Sequence, residues 1–191
     1  MRNDLPNHLT PPGQPAPFQS LYDWMRSIVM VFLPVVFLLT FVGQTMAVQM
    51  DSMTPTLLDG DRMIVSNLIY TPRQGDVIIF SRHDFQDGAA LVKRIIALEG
   101  DVVDIDTQTG LVYVNGQALV EPYTNSPTNL AGDISYPHIV PPGHVFVIGD
   151  NRNHSQDSRH SDIGPVDKRE VLGRVIAVIT PFGRAGFLPR P

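Results

Sequence analysis

Between Ser27 and Met50 the chain carries no charged residue, and from Ile28 to Val42 it is apolar throughout except for Thr40 and Pro34. A stretch of this length has few options. It can span a bilayer as a helix, serve as a cleaved secretory leader, or lie wholly inside a core. The run is longer than a leader's apolar segment and is followed by Gln44-Thr45-Met46-Ala47-Val48 rather than a small-x-small exit, which favours an uncleaved anchor. Tyr22 and Trp24 sit where an interfacial aromatic belt would lie, and Pro34 is tolerable in a membrane helix. The expectation is a membrane-spanning helix over residues 20–48. Before it, residues 1–19 contain Pro6, Pro11, Pro12, Pro15 and Pro17 with little apolar periodicity, the composition of a flexible tail. Charge barely orients the anchor, since Arg2 and Arg26 are the only cations on its amino-terminal side.

From residue 49 to 191 the pattern changes to short β-type runs separated by turn residues, which predicts one mainly β domain. The runs are Met63–Val65, Val77–Phe80, Val102–Ile105, Leu111–Val114, His144–Ile148 and Val171–Ile179, with a further strand-like run from Leu91 to Leu98. Asp106–Gly110 reads as a hairpin turn, and Asn115-Gly116 as a second, tighter one. Tyr123–Tyr136 is polar and broken by prolines and asparagines, so it is expected to form a surface excursion.

The balance of 14 basic against 19 acidic residues, with no basic stripe, argues against a nucleic-acid partner. Cysteine is absent, so neither disulfides nor thiolate metal sites contribute. Neither GxSxG nor HExxH occurs. A Ser-His-Asp triad stays open, because triads are assembled in space rather than in sequence.

Three constellations could do chemistry. Ser52, in Ser52-Met53-Thr54-Pro55-Thr56-Leu57, is either a turn serine or a nucleophile in need of a base. Lys93 is one of only two lysines and sits in an apolar run beside Arg94. Neighbours on a strand face opposite ways, so at least one of the two should face the interior if the sheet is covered there. A buried amine loses its proton more easily and can act as a base, whereas an edge lysine would only guard against aggregation. Lys168, in Asp167-Lys168-Arg169-Glu170, reads as solvated. The third constellation runs from Gly149 to Arg159 directly after an apolar strand, and reads as a loop that hydrogen-bonds itself. Within it Asp157 could pair with Arg159 or Arg152, and Ser155 could orient a nearby amine.

Taken in order behind an apolar segment, these pieces resemble the bacterial type I signal peptidases, serine proteases with a Ser-Lys dyad. The matching motifs are Ser52-Met53-x-Pro55-Thr56-Leu57, Gly60-Asp61-Arg62, Gly75-Asp76-Val77-Ile78-Ile79-Phe80, Lys93-Arg94-Ile95-Ile96 with Gly100-Asp101, and Gly149-Asp150-Asn151-Arg152 through Asp157-Ser158-Arg159. Val114-Asn115-Gly116, Glu121-Pro122-Tyr123 and Val140-Pro141 are also similar. The resemblance implies a signal-peptidase-like β domain tethered by one N-terminal helix, single-pass in the cytoplasmic membrane, with the catalytic domain on the extracytoplasmic side. It makes Ser52 the nucleophile, Lys93 the general base, Ser155 the residue that orients the lysine amine, and Asp157 with Arg159 a supporting ion pair.

The same resemblance puts the Ser52 backbone N–H in the oxyanion hole. It implies secretory preproteins as substrates, bound as extended strands and cut after small residues, with the lipid bilayer as the other partner and no cofactor or metal. Three positions depart from the family pattern. Met50 stands where a serine hydroxyl often completes the oxyanion hole, Asp51 where glycine is usual, and Glu99 where proline is common. A thioether donates no hydrogen bond. Two other readings are a specialised Ser-Lys peptidase for pilus or conjugation proteins, and a catalytically weakened, membrane-anchored binding module. A self-cleaving repressor is disfavoured by the apolar segment and by the lack of a helix-turn-helix pattern.

Overall fold

The computed structural model describes residues 17–37, 44–47, 51–67, 70–82 and 89–188. It has two units, Met1–Leu39 and Thr40–Pro191. In the first, helix α1 covers Pro17–Phe37. Proline suits a helix's first turn, where its missing N–H has no partner to lose, so α1 begins within the expected 1–19 tail. The remainder of that tail lies outside the described residues. Apolar side chains from Leu21 to Val36 are exposed along α1. Among the described residues no helix is long and apolar enough to cross a membrane. The first half of α1 includes Asp23 and Arg26, and the apolar run continues from Leu38 to Val42, outside the described residues.

The carboxyl end of the expected 20–48 helix is different. Strand β1 (Gln44–Ala47) pairs with β2 (Arg62–Ser66), so its backbone hydrogen bonds go sideways rather than along a helix. The β unit therefore starts earlier than residue 49.

The remaining strands are β3 (Val77–Ser81), β4 (Ala90–Leu98), β5 (Val102–Asp106), β6 (Leu111–Val114), β7 (Gln117–Ala118), β8 (His138–Ile139), β9 (His144–Ile148), β10 (Val166–Asp167), β11 (Val171–Thr180) and β12 (Gly186–Phe187). One sheet has the order β1-β2-β11-β3-β4-β9-β10, with β12 also on β11; the other has the order β7-β6-β5-β8. Every pairing is antiparallel. Each expected β-type run falls on a strand, and the fold is mainly β. Asn115 (φ 53°) and Gly116 (φ 77°) make the tight turn from β6 to β7, where two left-handed residues match the twist of a two-residue hairpin.

Three apolar clusters place the site. Met53, Leu57, Met63, Val65, Val77, Ile79, Val175 and Val178 form one, so the segment after Ser52 is rooted in the sheet's core. Ile78, Phe80, Leu91, Ile95, Val145, Val147, Ile163 and Val166 form the second. The third joins the smaller sheet to β4 and β9 through Val103, Val112, Ile96 and Phe146. The β4 strand is thus covered on both faces, which is why Lys93 and Arg94 are both buried, each 2% exposed.

Candidate active site

Ser52 opens a tight turn held by Thr54 N–H to Asp51 O at 3.0 Å and Leu57 N–H to Met53 O at 3.0 Å. Met53 and Leu57, four residues apart, both point into the core and fix that turn. On β4, Leu91, Lys93 and Ile95 share a face, and Ile78 of β3 lies directly opposite Lys93. The two segments meet: Lys93 Nζ lies 2.7 Å from Ser52 Oγ, a hydrogen bond across 41 positions of sequence.

Burial among these apolar neighbours pushes the Lys93 amine down to about 8. The charges of Asp157 and Asp150 pull it upward, and Arg159 acts with burial. With its value lowered this far the amine has an appreciable neutral fraction near physiological pH, and the lone pair of that fraction is available to a hydroxyl proton.

The loop Gly149–Arg159 closes the site. Asp157 is fully buried and binds Arg159 through Nε at 2.8 Å and Nη2 at 2.9 Å, while accepting from Gly149 N–H at 3.0 Å. Burial alone would raise the Asp157 carboxyl; the hydrogen bonds and charge of Arg159, with the Gly149 N–H, bring it below its ordinary value. Of the two arginines open to Asp157 on sequence, the structure selects Arg159. Ser155 departs from expectation. Its Oγ is buried against Asp157, whose negative charge it favours, but it makes no hydrogen bond of proper geometry, whereas the lysine amine is engaged by Ser52.

Several residues that the sequence alone left without a role hold Ser52 in place. Asn151 N–H donates to Ser52 O at 3.0 Å, and Asn151 Nδ2 donates to Asp51 O at 3.1 Å. A Cβ on Gly149 would fall 2.2 Å from Ser155 Oγ and 2.5 Å from Ser52 O, so this position admits no side chain. We expect Gly149→Ala to displace Ser52 and to lower kcat by roughly a hundredfold, the typical cost of an ångström-scale misplacement of reacting groups. Single-turnover cleavage by the folded variant measures it.

Arg94, on the other face of β4, forms a buried bidentate pair with Asp150 at 2.8 and 2.7 Å and donates to Gly75 O at 2.8 Å. Thr56 Oγ1 donates to the same carboxylate at 2.5 Å, tying the Ser52 turn to the loop. The signal for this lay in the Lys-Arg doublet within an apolar strand. Arg152 pairs with Glu121 at 2.6 Å, and Lys168, only partly exposed, pairs with Glu99 at 2.9 Å. Met50 lies outside the described residues. Among the described residues no backbone hydrogen bond takes up the Ser52 N–H.

The pairing of β4 with β9 begins at Arg94, so Ala90–Val92 has a β3 neighbour on one side and no paired strand on the other among the described residues. That open edge leads straight to Lys93. A cavity of about 480 Å³ lies beside Thr56, Arg94 and Tyr123 and includes neither Ser52 nor Lys93 in its walls. Among the described residues no group of His, Cys, Asp or Glu is placed to hold a metal ion.

Comparison with known proteins gives a consistent result. The family model described as signal peptidase, peptidase S26, matches residues 21–180. A signal peptidase I of Leptolyngbya laminosa is 36% identical over 99% of this chain and 97% of its own length. A signal peptidase I of Bacillus licheniformis is 34% identical over 85% of this chain and 90% of its own. A crystal structure of a signal peptidase I from Enterococcus faecalis aligns with 56% of this chain and 97% of its own at 30% identity, with a TM-score of 0.44.

Proposed function

The chain belongs to the signal peptidase family, peptidase S26, whose members are serine endopeptidases that act on the signal peptides of exported proteins, and from this we propose that Ser52 is its nucleophile and Lys93 its general base. The observation that carries the reading is the 2.7 Å contact between Lys93 Nζ and Ser52 Oγ inside an apolar surround.

In this reading neutral Lys93 takes the Ser52 proton as Oγ attacks the scissile carbonyl. The carbonyl oxygen becomes an oxyanion facing the Ser52 N–H, and the Lys93 ammonium then protonates the departing amine. Lys93, neutral again, activates the water that releases the acyl group. Asp157 and Arg159 hold the loop beside the amine, and Ser155, buried with an unsatisfied hydroxyl, steadies that amine once substrate displaces Ser52 from its resting contact.

The preprotein adds as an extended strand on the open edge at Ala90–Val92, where main-chain hydrogen bonds supply affinity and small pockets for the residues one and three before the cut supply selectivity. The exposed apolar side chains of α1, together with the apolar sequence that continues to Val42, support a single-pass anchor, and the resemblance to the family gives the cytoplasmic membrane and the extracytoplasmic side for the β unit. Such an anchor raises the effective concentration of substrates still held in the bilayer.

The test is the pH dependence of kcat/KM on a preprotein in detergent. Protonated Lys93 cannot accept a proton, so activity is expected to rise tenfold per pH unit at acidic pH and to level off above about 8. A flat profile across that range would remove Lys93 from the role.

A further inference from the structure

The polar segment from Glu121 to Asp133 contains no helix or strand, yet it runs alongside residues 152–161 in the same chain direction. At its start, the Glu121 carboxylate meets the buried Arg152 guanidinium in two bonds of 2.9 and 2.6 Å, and Arg152 Nη1 also donates to the buried Thr128 hydroxyl at 3.1 Å. In the middle, Asn153 Oδ1 accepts from Asn129 N–H at 3.0 Å.

At its end, Arg159 Nη1 donates to Leu130 O at 2.8 Å, and Arg159 O accepts from Asp133 N–H at 3.1 Å. The Asp133 carboxylate takes both the Ser161 N–H at 2.6 Å and the Ser161 hydroxyl at 2.8 Å. Gly132 has φ +81° there, and a Cβ on it would fall 2.0 Å from Arg159 O, so the two backbones are in direct contact.

Ser155 and Asp157 lie between these grips. Arg159 links the two sides, since its guanidinium is shared between Leu130 O and the buried Asp157 carboxylate. Whatever fixes Arg159 therefore fixes Asp157, which in turn holds Gly149 against Ser52 O. The loop does not satisfy its buried cations by itself: Arg152 takes its carboxylate from Glu121, and Arg159, beside its pair with Asp157, needs Leu130 O, so both depend on the neighbouring segment to offset the loss of hydration.

We propose that Glu121–Asp133 is a positioning clasp for the Lys93 amine, acting through the loop from Arg152 to Ser161. The inference rests on the reading of Lys93 as general base. None of the clasp residues touches the reacting atoms in this scheme; they set the packing that keeps water from the amine. The charged groups that act on Lys93 are Asp157, Arg159 and Asp150, and two of the three belong to the clasped stretch.

Two variants of the full chain in detergent test this. In Glu121→Met with Arg152→Met the buried pair is replaced on both sides at once, so no orphaned charge is left in the core. Asp133→Ala releases the exposed end alone. Both are expected to lower kcat roughly tenfold or more with KM unchanged, as looser placement of a catalytic group does. Both should also shift the inflection of kcat/KM against pH upward from about 8, because burial is the largest cause of the depressed value. Asp133→Asn keeps an acceptor for Ser161 and should restore both quantities. Wild-type kcat and an unmoved inflection in folded Asp133→Ala overturn the clasp, whether or not the double variant folds. A wild-type enzyme with no inflection near 8 instead overturns the reading of Lys93 and leaves the kcat comparison to decide the clasp.

Discussion

Ser52→Ala is expected to lose preprotein cleavage by roughly 10³-fold to 10⁶-fold, the range seen when a serine protease is stripped of its nucleophile. The fold should be untouched, because Ser52 contributes a hydroxyl to the site and its backbone to the turn, while Met53 and Leu57 do the packing. Lys93→Met should lose a comparable amount, since a hydroxyl without a base is a weak nucleophile. The two losses should not add in the double variant, because both groups serve one proton transfer. The measurement is cleavage of a purified preprotein in detergent, with circular dichroism as the check on folding. Substantial activity in either single variant would show that the 2.7 Å contact is a structural hydrogen bond and nothing more.

Lys93→Met is also expected to stabilise the protein at neutral pH. In the folded chain the amine titrates at about 8, and unfolding returns it to 10.5. Below 8 both states hold the proton, and the folded state alone carries a buried ammonium; the linked penalty is roughly 3 kcal/mol. Between 8 and 10.5 the unfolded state binds more protons than the folded one, so wild-type stability rises with pH across this window. Replacement by an unbranched apolar side chain of similar length removes the penalty. Denaturant unfolding at pH 7 should therefore show the variant ahead, with the gap shrinking by pH 10. An equal gap at both pH values would place the cause in packing rather than in the charge.

Much of the β unit is legible in the sequence because alternating and β-branched runs bounded by turn residues specify strands locally, as in Val102–Ile105, Leu111–Val114 and the Asn115-Gly116 turn. The proximity of Ser52 and Lys93 is not local. Each has an ordinary alternative in its own surroundings, and only the packing of the Met53–Leu57 turn against the strands beside β4 brings them together. Resemblance to a family supplied that pairing, and spacing could not. For the doublet Lys93-Arg94, strand alternation requires at least one inward side chain where the sheet is covered, and the second layer of sheet, which alternation does not display, buries both. The stretch after Tyr123 looks like a solvated excursion because its backbone lacks periodicity. Its ties to residues 152–161 depend on side chains 24 to 31 positions away, which no window of sequence displays. Toward the amino terminus, the apolar run says that a long helix is favourable but not where it stops, and β1 claims Gln44–Ala47 through partners in β2.

The last long strand, β11, sits in the middle of its sheet, with β2 along one side and β3 along the other. Its Val175 and Val178 leave the ribosome after the other buried residues of the cluster beneath the Ser52 turn, and Leu188, half-buried against that cluster, follows them. Until Val171–Thr180 is translated, β2 and β3 have no common neighbour, and Val175 and Val178 are missing from the cluster on which Met53 and Leu57 rest. A nascent chain that already contains both Ser52 and Lys93 therefore lacks part of the core that seats the Ser52 turn until β11 has been made.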